Sequence, residues 1–260
     1  SKQIEKAKIE IAGEDFRDPM TGLRHIWEAV DALGLSHGDR VGHAIAASLN
    51  TERARALLDR RVGAGVEMVN RDRRVLMPRG THLADLAWLV DTSLDANEGA
   101  YLEQHLAAAI VRAYGAPTHA RRAVRAFRRR ASSVSALIPG VRFGDPAQVG
   151  STDLEWVTIG ERWLSVFEDR RARLMELVSK RGVVIESCPS SNRVVCGLDR
   201  SPLEYFIEDG FIAHITVATD DPGLLDAWPR KELHDVAEHR VRLLDQNRRA
   251  SFIRRVGEGS

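Results

Sequence analysis

The chain has no long hydrophobic run. No stretch approaches the ~18 consecutive apolar residues of a membrane-spanning helix, so none is expected to cross a bilayer. The N-terminal segment, Ser1-Lys-Gln-Ile-Glu-Lys-Ala-Lys, lacks the apolar core of a signal peptide. Only two cysteines occur, Cys188 and Cys196. That is too few for a disulfide scaffold and fits a reducing, cytoplasmic setting. Charge of one sign is also missing. A net charge of +1 gives no global reason to expect nucleic acid or a membrane surface as partner. There is no internal repeat and no low-complexity tract. There is no initiator Met either, and a chain starting at Ser1 is expected to be a piece of a longer product.

What is present is an ordinary globular composition, 43% hydrophobic and 29% charged over 260 residues, long enough to bury a sizeable core. Four short apolar runs rich in β-branched residues read as buried strands: Lys8 to Ala12, Asp39 to Ala44, Gly182 to Cys188 and Ala213 to Asp220. Between them lie helical patterns. Leu23, Ile26, Trp27, Val30 and Leu33 share one face, and Leu203, Phe206 and Ile207 have similar spacing. Strands alternating with helices predict an α/β fold with parallel strands.

The stretch from 50 to 180 breaks this rhythm. Leu83, Leu86, Ala87 and Val90 have helical spacing. So do Leu102, Leu106, Ala109 and Ile110, and later Trp163, Val166, Phe167, Leu174 and Leu177. The arginine cluster from Arg121 to Arg130 reads as a solvated helix face, and 139–152 as a Gly/Pro-rich loop. This predicts a helical insertion over 50–180, between a first strand region at 1–49 and a second at 181–260.

The ends of the four predicted strands deliver Glu14, His43, the turn from Ser187 to Asn192, and the pair Asp220-Asp221. Catalytic groups project from the C-terminal ends of parallel strands in barrels. One acid, one histidine and an acid pair suit hydrolysis with proton transfer, with or without a metal. Each residue also has a plainer reading, since Asp-Asp-Pro is equally a helix-start signal. Cys188 and Cys196 read as a buried thiol and a free thiol, and His214 as structural.

In order along the chain, these pieces resemble the adenosine and AMP deaminases. Ala12-Gly13-Glu14 is similar to their His-Ala-Gly-Glu motif, and Asp39-Arg-Val-Gly-His43 to their Arg-Ile-Gly-His. Glu186-Ser-Cys-Pro-Ser-Ser-Asn192 resembles Cys-Pro-x-Ser-Asn. Ser201-Pro-Leu203 resembles His-Pro-Leu with the histidine replaced. Thr216 to Pro222 resembles the strand ending in Thr-Asp-Asp-Pro, and Asn247 to Phe252 the final helix. The resemblance implies the C-terminal half of a zinc-dependent (β/α)8 barrel, its fifth to eighth strands, carrying a large helical insertion. It implies hydrolytic replacement of the purine 6-amino group in adenosine or an adenine nucleotide. Glu14 would protonate the ring and His43 would stand beside the attacking water. Asp220 would bind zinc. Asp221 would hold the purine and the hydroxide, and Gly13 would line the substrate. The segments Gly13-Glu-Asp-Phe16 and Gly22-Leu-Arg24, with the insertion, resemble the large adenosine deaminases of bacterial anti-phage defence, which assemble into oligomers.

The pattern also departs from the family. Ile11 stands where the motif has histidine, there is no His-x-His pair, and of the implied zinc ligands only Asp220 is present. Three readings stay open. The chain is a fragment of a longer barrel, one half of a barrel completed by another chain, or an inactive homologue serving as a nucleotide-binding or oligomeric scaffold.

Overall fold

A computed structural model describes residues 9–114 except 15, 153–211, 214–220, and the isolated helical positions 232, 234, 237 and 238. The arginine cluster, the 139–152 loop, Asp221 and the expected final helix at 247–252 lie outside the described residues.

The four predicted strands form one parallel sheet. It contains β1 (Ile9–Ala12), β2 (Arg40–His43), β6 (Val184–Ser187) and β7 (Ile215–Val217), in the order β1-β2-β6-β7. The register runs Ile11 to Gly42, Gly42 to Glu186 and Glu186 to Thr216. Successive side chains alternate across a strand, so Val41 and Ile185 share the other face, where both are fully buried. Helix α1 (Pro19–Ala32) connects β1 to β2, and α6 (Glu161–Arg181) leads into β6. Their Leu23, Ile26, Val30, Phe167, Leu174 and Val178 build the core with Val41 and Ile185. The opposite sheet face carries Ile11, 66% exposed, an exposed Arg40, and half-buried Val184 and Glu186. On that face Arg40 Nη1 donates to Glu186 Oε2 at 2.7 Å.

Local chemistry explains the helix limits. Asp18 caps α1 by accepting from the Met20 and Thr21 amides, and Pro19 occupies the first turn. Leu33, expected on the apolar face, is instead the C-cap and is half exposed. Gly182 ends α6 in the left-handed region (φ 65°).

After the short α2 (Ile45–Ser48), the segment from 50 to 180 is helical where the spacing predicts it, in α4 (Arg79–Asp91), α5 (Ala96–Tyr114) and α6, and also in α3 (Thr51–Arg60), which no quoted spacing marks. It also holds a second sheet that the sequence reading omits. Strands β3 (Val66–Val69), β4 (Asp72–Pro78) and β5 (Leu154–Ile159) pair antiparallel in that order. Val75, Met77, Val157 and Ile159 point into the core. The alternation in β4 is disguised because Arg73 takes an inward position. Its guanidinium binds Asp59 through two hydrogen bonds of 2.9 and 2.8 Å, which makes its burial tolerable.

Candidate functional site

The carboxyl ends of the parallel strands converge on three side chains. Glu14 follows β1, His43 is the last residue of β2, and Asp220 follows β7. One ligand atom from each lies within 4.8 Å of the others. Glu14 Oε2 is 3.5 Å from His43 Nε2. His43 is buried, Glu14 half-buried and Asp220 exposed, so the group opens from the core toward the surface.

The backbone is bent to place them. Gly13 has φ +73°, and a Cβ there would meet Ile26 Cδ1 at 2.4 Å, so β1 can turn against α1 only with glycine at this position. The Gly13 carbonyl accepts from the Ala46 amide, and Cys196 Sγ donates to the Glu14 carbonyl at 3.2 Å. His43 and Ala44 both occupy the left-handed region, with φ 66° and 46°. Non-glycine residues held there are strained by about 1–3 kcal/mol each, and such strain gathers at functional sites. The Ala44 amide secures this turn by donating to the Ala12 and Gly42 carbonyls.

A second layer comes from the helix after β6, α7 (Pro189–Cys196). Asn192, fully buried, brings Oδ1 to 2.5 Å from His43 Nδ1, while its own Nδ2 is buried without a partner among the described residues. Ser191 Oγ donates to Asp220 Oδ2 at 2.7 Å. At the helix start, the Ser190 amide donates to the buried Glu232 carboxylate at 3.2 Å, where an acid is favoured by the exposed amides of the first turn. Burial pushes the Cys188 thiol up to about 12, helped by the carboxylates of Asp220, Glu186, Glu232 and Glu14. Cys188 is therefore a neutral thiol in acidic surroundings. Both cysteines are buried thiols outside any disulfide.

The structure thus brings together Glu14, His43 and Asp220 as the sequence suggests. Gly13 lies beside them with a conformational role, and Asp221 is outside the described residues. Ser191 and Asn192 lie within the Cys-Pro-Ser-Ser-Asn segment that carries the resemblance, with no role assigned there, whereas nothing local in the sequence marks Glu232. A cavity between α7 and α8 (Pro202–Glu208), lined by Pro189, Arg193, Ser201 and Ile207 among others, includes none of the three converging residues. No helix among the described residues is long and apolar enough to cross a membrane.

One imidazole and two carboxylates in this arrangement can exchange protons with a bound molecule or hold a divalent cation. No known family profile matches the chain, and no curated protein sequence matches it at a significant level.

Proposed function

We propose that the chain carries the C-terminal half of a deaminase-type barrel and contributes to hydrolytic removal of the purine 6-amino group from adenosine or an adenine nucleotide. The observation that carries this reading is the convergence of Glu14, His43 and Asp220 at the carboxyl ends of parallel strands, where barrel enzymes place their chemistry. The open sheet face bearing Ile11, Arg40 and Glu186 is the face a complete barrel would enclose.

Deamination of this kind needs a water deprotonated, a ring nitrogen protonated and developing charge stabilised. Glu14 is the group placed for proton movement, with His43 beside it at 3.5 Å. The resemblance also implies zinc, and the implied ligand set does not fit. Ile11 offers no donor, and Asp220 is the one implied ligand left. The donor chemistry of Glu14, His43 and Asp220 does fit a divalent cation, which when bound supplies positive charge that acidifies a water near neutral pH.

The test is inosine or inosine-nucleotide formation from adenosine or ATP, followed by chromatography with and without added zinc. Turnover that is lost in Glu14→Gln and in His43→Ala is expected. The absence of any difference between the unmodified chain and these variants would sink the reading. A second reading rests on Ile11, which places an exposed apolar side chain where the motif has a ligand. It makes the chain a nucleotide-binding or oligomeric scaffold, identified by purine binding or self-association without turnover.

A further inference from the structure

The three converging groups bring one imidazole nitrogen and two carboxylate oxygens to one point, held from outside by two further side chains. Asn192 Oδ1 stands 2.5 Å from His43 Nδ1, and an amide oxygen only accepts. With the imidazole hydrogen on Nδ1, Nε2 is the nitrogen that offers a lone pair to a cation. Nε2 faces Glu14 Oε2 at 3.5 Å, with an Asp220 carboxylate oxygen inside the same 4.8 Å cluster. Each of the three can offer an electron pair at the point where they meet. Ser191 donates to Asp220 Oδ2 and orients that carboxylate. An imidazole held by a partner on its far nitrogen, beside a carboxylate oriented by a hydroxyl, is how metal sites fix their ligands from outside.

We propose that Glu14, His43 and Asp220 are themselves the ligands of a divalent cation, with Asn192 and Ser191 orienting them. This deepens the functional reading above, because it supplies that site's cation with ligands other than the set the resemblance implies. Two oxygens and one imidazole nitrogen suit zinc or manganese, with positions left for water or substrate. Ligand atoms on opposite sides of such a cation lie ~4 Å apart at ~2.1 Å bonds, so the cluster closes on it by small side-chain rotations. One oxygen of Glu14 suffices as ligand and leaves the second uncommitted to the cation.

The experiment strips the full chain with chelator, reloads it with zinc, and measures bound metal after dialysis and affinity against a chromogenic chelator. About one cation per chain is expected. Glu14→Gln, His43→Gln and Asp220→Asn should each weaken binding at least ~10-fold, and Asn192→Leu by ~10–100-fold, as for partners of metal-bound imidazoles. Ile11→Ala should leave affinity unchanged. Melting temperatures in chelator show whether each variant folds. The cobalt-loaded unmodified chain gives a readout needing no variant, a visible spectrum without thiolate charge transfer. No retained metal, or affinity unmoved in all three ligand variants, overturns the proposal, as does a thiolate band. Inosine formation with unmoved affinity rejects the ligands and keeps deamination. Ligand-dependent binding with no inosine keeps the ligands and rejects deamination.

Discussion

The first turn of α1, which carries the Glu14 loop, is anchored by a buried chain of oxygens that requires an extra proton. Thr21 Oγ1 lies 2.7 Å from Asp18 Oδ2 and 2.6 Å from Asp85 Oδ2. Both are hydrogen-bond distances, and the threonine hydroxyl has one hydrogen to give. The second must come from a carboxyl. Burial pushes Asp85 up to about 6, against the pull of Arg24, whose Nε donates to Asp85 Oδ1 at 2.6 Å. Burial alone would lower the Arg24 guanidinium, but Asp85 and Glu28 reverse this and raise it, so Arg24 stays charged. Asp85 has an ordinary value of 3.8, and its folded value lies above this. The folded chain therefore holds a proton that the unfolded chain releases. The resulting stability is fully present below about pH 4 and is lost as the pH rises through about 6. A rise from 3.8 to about 6 amounts to roughly 3 kcal/mol, of which about 2 kcal/mol falls between roughly pH 4.5 and 7.5.

Asp85→Asn removes the titration while keeping a donor for Thr21 and an acceptor for Arg24. Urea unfolding at several pH values should show the unmodified chain losing about 2 kcal/mol relative to the variant between roughly pH 4.5 and 7.5. Other titrating groups cancel in that difference. Carbon NMR of the Asp85 carboxyl should titrate with a midpoint near 6. A flat difference, one that grows with pH, or a midpoint at or below 3.8 refutes the shared proton.

Two further outcomes follow from the packing. Gly13→Ala forces an L side chain into a left-handed conformation and into Ile26, and should cost about 2–4 kcal/mol, read as a lowered urea midpoint. Arg170 is fully buried. It pairs with Glu98 at 3.0 Å and donates to Thr92 Oγ1 at 2.9 Å. Arg170→Met takes the guanidinium from the Glu98 carboxylate, which keeps the Leu94 amide, and should cost about 3–5 kcal/mol. The double variant Arg170→Met/Glu98→Gln should recover part of this loss.

The parallel strands and the main helices were legible because their signals are local. Apolar runs of strand length, and leucines at helical spacing, stay readable whatever packs on them. Glu14, His43 and Asp220 were legible because residues at the carboxyl ends of strands in one parallel sheet lie along one edge. The antiparallel sheet was not, because Arg73 interrupts the alternation of β4 and is tolerated only by Asp59 from another element. Nor were Leu33, a cap exposed by the turn that follows, and Glu232, which joins the site through a contact 42 residues distant in sequence. The sequence by itself determined which groups are present and at which strand ends. Only the tertiary structure decided that Asn192 holds the His43 imidazole and that Ser191 orients Asp220. Hydrogen-bond partners are set by distance in space, and α7 supplies both from about 150 residues beyond His43.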